Sequence, residues 1–377
     1  MTTVSSAQYS NYYLLLGSTA ASASRTAASS GGSGTGSSSN NATNITLSSA
    51  AQTALATKDL ATVVAETREA LDKLLADAKA TSPLKDGKLA IDLSSLDRRA
   101  LYAVAANTEG KFSDDERSAA AIELSNRFDA ALTGPAAVAR ITGDYSTLYK
   151  AALDFLDGAS PEEKATDAWA KQKAGALEAQ KQLAADPTTL PAVADDPVAD
   201  YLERAQNGET GQPRDFGDVA TDVRAALDKQ YADAKAAGTQ LVFSKLRKVG
   251  QQVDFSQFNS RALSAIALNQ DDKFSGEEVL AAKAEMRSRT GQALLASFKS
   301  AASGSDPTAF ATNLISAYAS LSPEERQAAG WTESFYNAAL SNYESSSKIA
   351  QMFAQSTGAS SSSGSTGLGS LTTLLGG

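Results

Sequence analysis

Apolar positions recur every three or four places in the stretch that begins near residue 60: Leu60, Val63, Val64, Thr67, Leu71, Leu74 and Leu75. That spacing lays one stripe along a helix and predicts an amphipathic α-helix whose stripe faces a core. Residues 216–231 repeat the pattern. The period then shortens. Leu89, Ala90, Ile91, Asp92 and Leu93 alternate, as do Val253, Asp254 and Phe255, so one brief strand is expected at each place. Ser94 and Ser256 follow as candidate N-caps of the next helix. Ser113 with Glu116, and Ser275 with Glu278, have the spacing of a capping box, and the first opens a helix running toward Phe128 and Leu132. A helix near 146–156 that stops at Gly158, then a long helix started by Ser160, Pro161, Glu162 and Glu163, complete the pattern.

Self-comparison organises these elements into two copies. Arg68, Leu71, Asp72 and Lys73 return as Arg224, Leu227, Asp228 and Lys229, 156 residues on. Arg99, Leu101, Lys111, Phe112, Ser113, Ser160, Pro161 and Trp169 return as Arg261, Leu263, Lys273, Phe274, Ser275, Ser322, Pro323 and Trp331, all 162 residues on. An insertion of six residues between 236 and 252 accounts for the change in spacing. The expected organisation is a mainly α chain of tandem duplicated helical units: unit 1 over 58–185, a linker over 186–213 and unit 2 over 214–348. The linker holds four prolines and room for a short helix at 198–205. The flanks, 1–57 and 349–377, are rich in Ser and Gly and almost free of charge, and are expected to be disordered because they cannot bury enough apolar surface to order themselves. The run at 12–16 is too short, and lacks the preceding basic residues, for a Sec signal.

Composition narrows the chemistry. The 377 residues include no Cys and no His. This removes disulfides, thiol nucleophiles, imidazole bases and nearly all zinc or haem sites, and leaves metal chemistry to oxygen ligands, which suit calcium or magnesium. A formal net charge of −9 without a basic stripe argues against nucleic acid. No apolar run approaches the roughly 20 residues of a membrane-spanning helix.

The remaining chemistry lies in two loops. Counting Ala105 as position one, Asn107 falls at three, Glu109 at five, Gly110 at six, the Lys111 carbonyl at seven, Phe112 at eight, Ser113 at nine and Glu116 at twelve. In the second copy the same count gives Ala267, Asn269, Asp271, Asp272, Lys273, Phe274, Ser275 and Glu278. This pattern resembles the EF-hand family. The resemblance implies a helix-loop-helix with calcium as its cofactor, held bidentately by Glu116 and Glu278. Asn107, Glu109, Lys111, Ser113, Asn269, Asp271, Lys273 and Ser275 would support it. It also implies that position eight joins a short strand pair, with Phe112 meeting either the Ile91 segment or Phe274. Both loops depart from the family in carrying Ala at position one, and the second has Asp272 where Gly is usual. The alternative is therefore an elbow that keeps Phe112 and Phe274 as core plugs and has lost its metal.

Three function classes follow. For an enzyme, the acidic pairs Glu162 with Glu163 and Asp114 with Asp115 sit at helix starts, where the macrodipole alone favours them, and Trp169 and Trp331 read as core anchors. A second class is an exported or cell-surface bacterial protein. The Ser-rich start resembles the unfolded export segments of type III and flagellar substrates, and residues 45–52 resemble a phrase of such proteins. The third is an intracellular calcium-responsive or scaffolding protein. The expectation is a non-catalytic exported or cell-surface protein acting by structure or by binding a protein partner, with a calcium-binding protein, or a cytoplasmic location, as the alternative.

Overall fold

The computed structural model describes residues 58–358, apart from 212, 245, 246, 248 and 305. The expectations for 1–57 and 359–377 lie outside the described residues. The chain is mainly α-helical. The first run of elements is α1 (Leu60–Asp77), β1 (Leu84–Lys85), β2 (Lys88–Leu89), α2 (Arg98–Ala106), α3 (Asp114–Thr142), α4 (Ser146–Asp157), α5 (Pro161–Lys164) and α6 (Asp167–Ala185). Helix α7 (Pro197–Gln206) lies in the linker. The second run is α8 (Phe216–Ala236), β3 (Leu241–Val242), β4 (Gln251–Gln252), α9 (Ser260–Ala267), a 3-10 turn (Gln270–Asp272), α10 (Gly276–Ser303), α11 (Ala309–Ser320), α12 (Pro323–Ala329) and α13 (Glu333–Gly358). Its order matches that of the first run.

Several local expectations need correction. Only Leu89 of the first alternating segment is in a strand: β1 pairs antiparallel with β2, and β3 pairs parallel with β4. Ile91, Leu93 and Phe255 alternate because they are buried from an irregular backbone, not from a sheet. The caps of α2 and α9 are Asp97 and Asn259, which accept from the Ala100 and Ala262 amides at 2.8 Å, and not Ser94 and Ser256. The long helix expected from Ser160 is two helices. Thr166 sits in an extended conformation between them and caps the Trp169 amide, which restarts the chain as α6. Helix α13 continues past residue 349 to Gly358.

The apolar stripes assemble several cores. Val63, Val64 and Leu71 of α1 meet Leu101 and Val104 of α2, Leu124 of α3, and the plug Phe112. Val219, Val223 and Leu227 of α8 meet Leu263 and Ile266 of α9 and the plug Phe274 in the same way. The later part of α3 supplies Phe128 and Leu132 to a further core with Leu148, Tyr149 and Phe155 of α4 and Val198 and Tyr201 of α7. The linker is therefore folded onto unit 1. Arg204 of α7 reaches the buried carboxylate of Asp129 at 2.7 and 3.0 Å, and the Gly211 amide adds a third bond at 3.1 Å. Gly175 of α6 lets this segment close, since a Cβ there would stand 2.6 Å from the Ala194 carbonyl.

A different face of α3 receives α11 of the second run, which in turn packs on α13, and Ala137, Ile315 and Ala339 of these three helices belong to one buried cluster. Gly134 permits it: a Cβ at this position would lie 2.3 Å from Ser316 Oγ and 3.0 Å from the Ser316 carbonyl. The two runs thus share α3 as a common spine. No helix among the described residues is long and apolar enough to cross a membrane.

Candidate functional site

Each loop joins a short helix to a long one. Ser113 accepts from the Glu116 amide while Glu116 accepts from the Ser113 amide at 2.8 Å, and Ser275 with Glu278 does the same. Both capping boxes read from the sequence are thus present, and they hold the carboxylates of position twelve at the helix starts. At the other end of the loop, Asn107 caps the end of α2 and Asn269 follows Leu268 at the end of α9, both in left-handed conformations, with φ of 46° and 52°. Gly110 and, in the second loop, Asp271 and Asp272 also have positive φ. Asp tolerates this region at a modest cost, so Asp272 turns the chain where the first loop uses Gly.

Within each loop the candidate residues are brought together, but their polar groups bond one another. The Asn107 side chain accepts from the Phe112 amide at 3.0 Å and donates to the Phe112 carbonyl at 2.8 Å. Asn269 accepts from the Phe274 amide at 2.9 Å and donates toward Asp272 at 3.3 Å. Position eight is therefore paired neither with the Ile91 segment nor with the other loop, which corrects that expectation. The first loop meets this backbone need at both the amide and the carbonyl from within, and the second meets it at the amide. Glu109 pairs with Lys111 at 2.8 Å, and Asp271 with Lys273 at 3.0 Å, while Lys273 also reaches Thr221 of α8 at 2.8 Å.

Glu116 and Glu278 carry the strongest contacts. Arg68 of α1 forms a fork on Glu116, with Nη1 2.8 Å and Nη2 2.7 Å from its two oxygens. Arg224 of α8 places Nη1 2.9 Å from both oxygens of Glu278 and 3.3 Å from the Lys273 carbonyl. The same guanidinium groups stand over the Phe112 and Phe274 rings, at 5.2 and 5.7 Å. Burial works to raise the Glu116 carboxyl, but the Arg68 guanidinium and the Ser113 amide overcome it and hold the group below its usual range. Arg68, bonded to Glu116, is held further toward the protonated form.

Calcium takes six to eight oxygens at about 2.3–2.6 Å. Here Ala105 and Ala267 offer no side-chain oxygen, and the carboxylates of position twelve lie on guanidinium groups. The Asn oxygens accept from Phe amides, and Glu109 and Asp271 are on lysines. Among the described residues no group of three or more acidic side chains is gathered to hold a metal ion. The donor set does not fit calcium as it stands.

The sequence carries a signal for these arginines. Arg68 and Arg224 open a repeated phrase in which Glu69 becomes Ala225 while the arginine, Ala70, Leu71, Asp72 and Lys73 all return. A second pair was also missed. Arg127 donates to the Leu96 and Leu93 carbonyls at 3.0 and 3.1 Å, and Arg289 to those of Phe258 and Phe255 at 2.7 Å, each pinning the turn before α2 or α9.

The acidic pairs considered for catalysis are likewise engaged. Glu162 bonds Arg99, Glu163 bonds Arg98 at 2.7 and 2.9 Å, Asp114 bonds Arg117 and Asp115 accepts from Ser82. Glu163 and Arg98 are buried, and this pushes the carboxyl up to about 7 and the guanidinium down to about 10. Trp169 packs on Leu153 and Leu156 and donates to the Leu156 carbonyl at 2.9 Å. Trp331 stacks on Tyr318 and packs on Phe335. Comparison with protein-family models, curated proteins and solved structures finds no match for this chain.

Proposed function

We propose that the chain is a non-catalytic helical protein that acts by structure or by binding another protein, and that it is exported to the surface or surroundings of a bacterial cell. The observation that carries the first half is the use made of its charged side chains. The candidates for acid-base chemistry are committed to helix caps and to internal pairs with Arg98, Arg99 and Arg117. Such pairs fix helix positions, and a group already bonded to an arginine is poorly placed to exchange a proton with a substrate.

Export rests on the long Ser- and Gly-rich flanks, which carry Arg25 as their only charged side chain over residues 1–57 and none from 349 onward, together with the lack of Cys. A calcium sensor is the weaker reading because the carboxylates it would use lie on guanidinium groups. Fractionation of cells with and without a working export apparatus tests localisation. The chain should collect in the medium or on the surface only in the competent cells, and retention in the cytoplasm of both would overturn export. Binding is tested by cross-linking on intact cells: recurrent adducts to one partner are expected, and a chain that never cross-links to protein would count against this mode of action.

A further inference from the structure

An EF-hand depends on two things outside its own loop, a bound cation and a neighbouring strand at position eight. We infer that both loops of this chain replace those two with their own side chains: Arg68 and Arg224 stand in for the cation, and Asn107 and Asn269 for the strand. This inference concerns how the loops close and does not depend on the proposed function.

The two guanidinium groups touch what a cation would hold. The EF-hand resemblance gives the carboxylate at position twelve and the carbonyl at position seven to calcium. Arg224 takes both, through Glu278 and the Lys273 carbonyl. Arg68 takes both oxygens of Glu116 in a two-bond fork. A guanidinium presents five donors in one plane and retains its charge when half-buried, so it can occupy a carboxylate bidentately as a divalent ion would. It comes from the preceding helix, α1 or α8, and thereby ties that helix to the start of α3 or α10. Calcium would have to expel this tethered cation while finding no oxygen at position one.

Position eight leaves one N–H and one carbonyl of a plug phenylalanine to be bonded, and an amide side chain offers both an acceptor and a donor. Asn107 supplies both to Phe112, and Asn269 supplies the acceptor to Phe274. The guanidinium on the position-twelve carboxylate and the asparagine acceptor on the position-eight amide occur in both loops at equivalent positions, which is why they read as one design and not as two accidents.

The test uses the full chain and calcium chloride alone, titrated to about 5 mM, above the weakest EF-hand dissociation constants. For the unaltered protein the expected result is no binding heat and the same Tm in calcium as in chelator. Heat, or a rise in Tm with calcium, would overturn the inference. Arg68→Ala should lower Tm and speed amide exchange across residues 107–116 while leaving 269–278 unchanged; Arg224→Ala should do the reverse. In each variant millimolar calcium should recover part of the lost Tm, because the carboxylate that loses its guanidinium and the added net negative charge are then open to a cation. A variant as stable as the parent, or one on which calcium has no effect, would overturn the stand-in role. If a variant fails to fold, Arg68→Lys, which keeps the charge but loses the fork, is expected to show an intermediate Tm and faster exchange in its own loop; parental values would overturn the inference. For the second device, Asn107→Asp keeps the acceptor and removes the donor. Faster exchange at Phe112 and nearby amides is expected, and unchanged exchange would remove the asparagine from the account.

Discussion

The first half of unit 1 and the first half of unit 2 are built alike, whereas their second halves are not. In both runs an arginine clamps the turn before the short helix, an asparagine closes the loop and an arginine holds the position-twelve carboxylate. After that the runs part. Helix α4 buries Leu148, Tyr149 and Phe155 against α3 of its own unit, while its counterpart α11 lays Ile315 against α3 of the other unit. The long helices explain why. Where α3 has Phe128, α10 has Thr290, and where α3 has Ala137, Val138 and Ile141 on its second face, α10 has Lys299, Ser300 and Ser303. One spine offers two apolar faces and the other offers less than one, so the second-run helices go to α3 and leave Leu295 and Phe298 more than half exposed on α10.

The comparison can be broken hardest at the buried pair that only unit 1 has. Arg98 and Glu163 are 4% and 0% exposed as side chains, and their counterparts are Ser260 and Glu325, of which the latter caps its own helix. Arg98→Met should therefore cost about 3–5 kcal/mol in urea unfolding, because an unpaired carboxylate is left inside, while Ser260→Ala should stay within about 0.5 kcal/mol. Equal effects would show that the two units use this position in the same way.

Next in size is the shared spine. Gly134→Val forces a side chain into the space that Ser316 occupies. It should cost about 1–3 kcal/mol through overpacking, and hydrogen exchange should rise in α11 and α13. The exposed counterpart Ala296→Val should cost only about the helix-propensity difference of roughly 0.5 kcal/mol. If exchange in α11 is unchanged, the contact between the runs is not what orders it.

The smallest effects are those of pH, and the two carboxylates differ in sign. Glu163 has a raised value, so its contribution is complete below its unfolded value near 4.5 and is lost as pH rises through about 7. Glu116 has a lowered value, so its contribution is present above the unfolded value and is lost as pH falls through the folded one. Thermal unfolding from pH 5 to pH 8 should then show a decline that disappears in Arg98→Met with Glu163→Leu, a change that leaves stability at pH 5 nearly unaltered or improved. A decline that survives in this double variant would assign it to another group.

How much was legible varies with the range of the interaction. The capping boxes, the plugs Phe112 and Phe274, the α1 and α8 stripes and the short linker helix were all readable, because each depends on residues three to five apart along the chain. The strand pairing expected of position eight was not, since Asn107 satisfies that backbone from within the loop. Nor was the partner of Glu116, which comes from Arg68, 48 residues away. The break between α5 and α6 was hidden because Thr166 looks like any helix-interior residue until its side chain is seen to cap Trp169.

By itself the sequence determined a mainly helical chain and the repeated order of its elements, since periodicity and caps act locally. Only the tertiary structure decided which helix buries which stripe, and whether a carboxylate meets a guanidinium or solvent. Those outcomes depend on distances between residues far apart in the chain, and side-chain packing and charge pairing take effect only once such residues have been brought into contact.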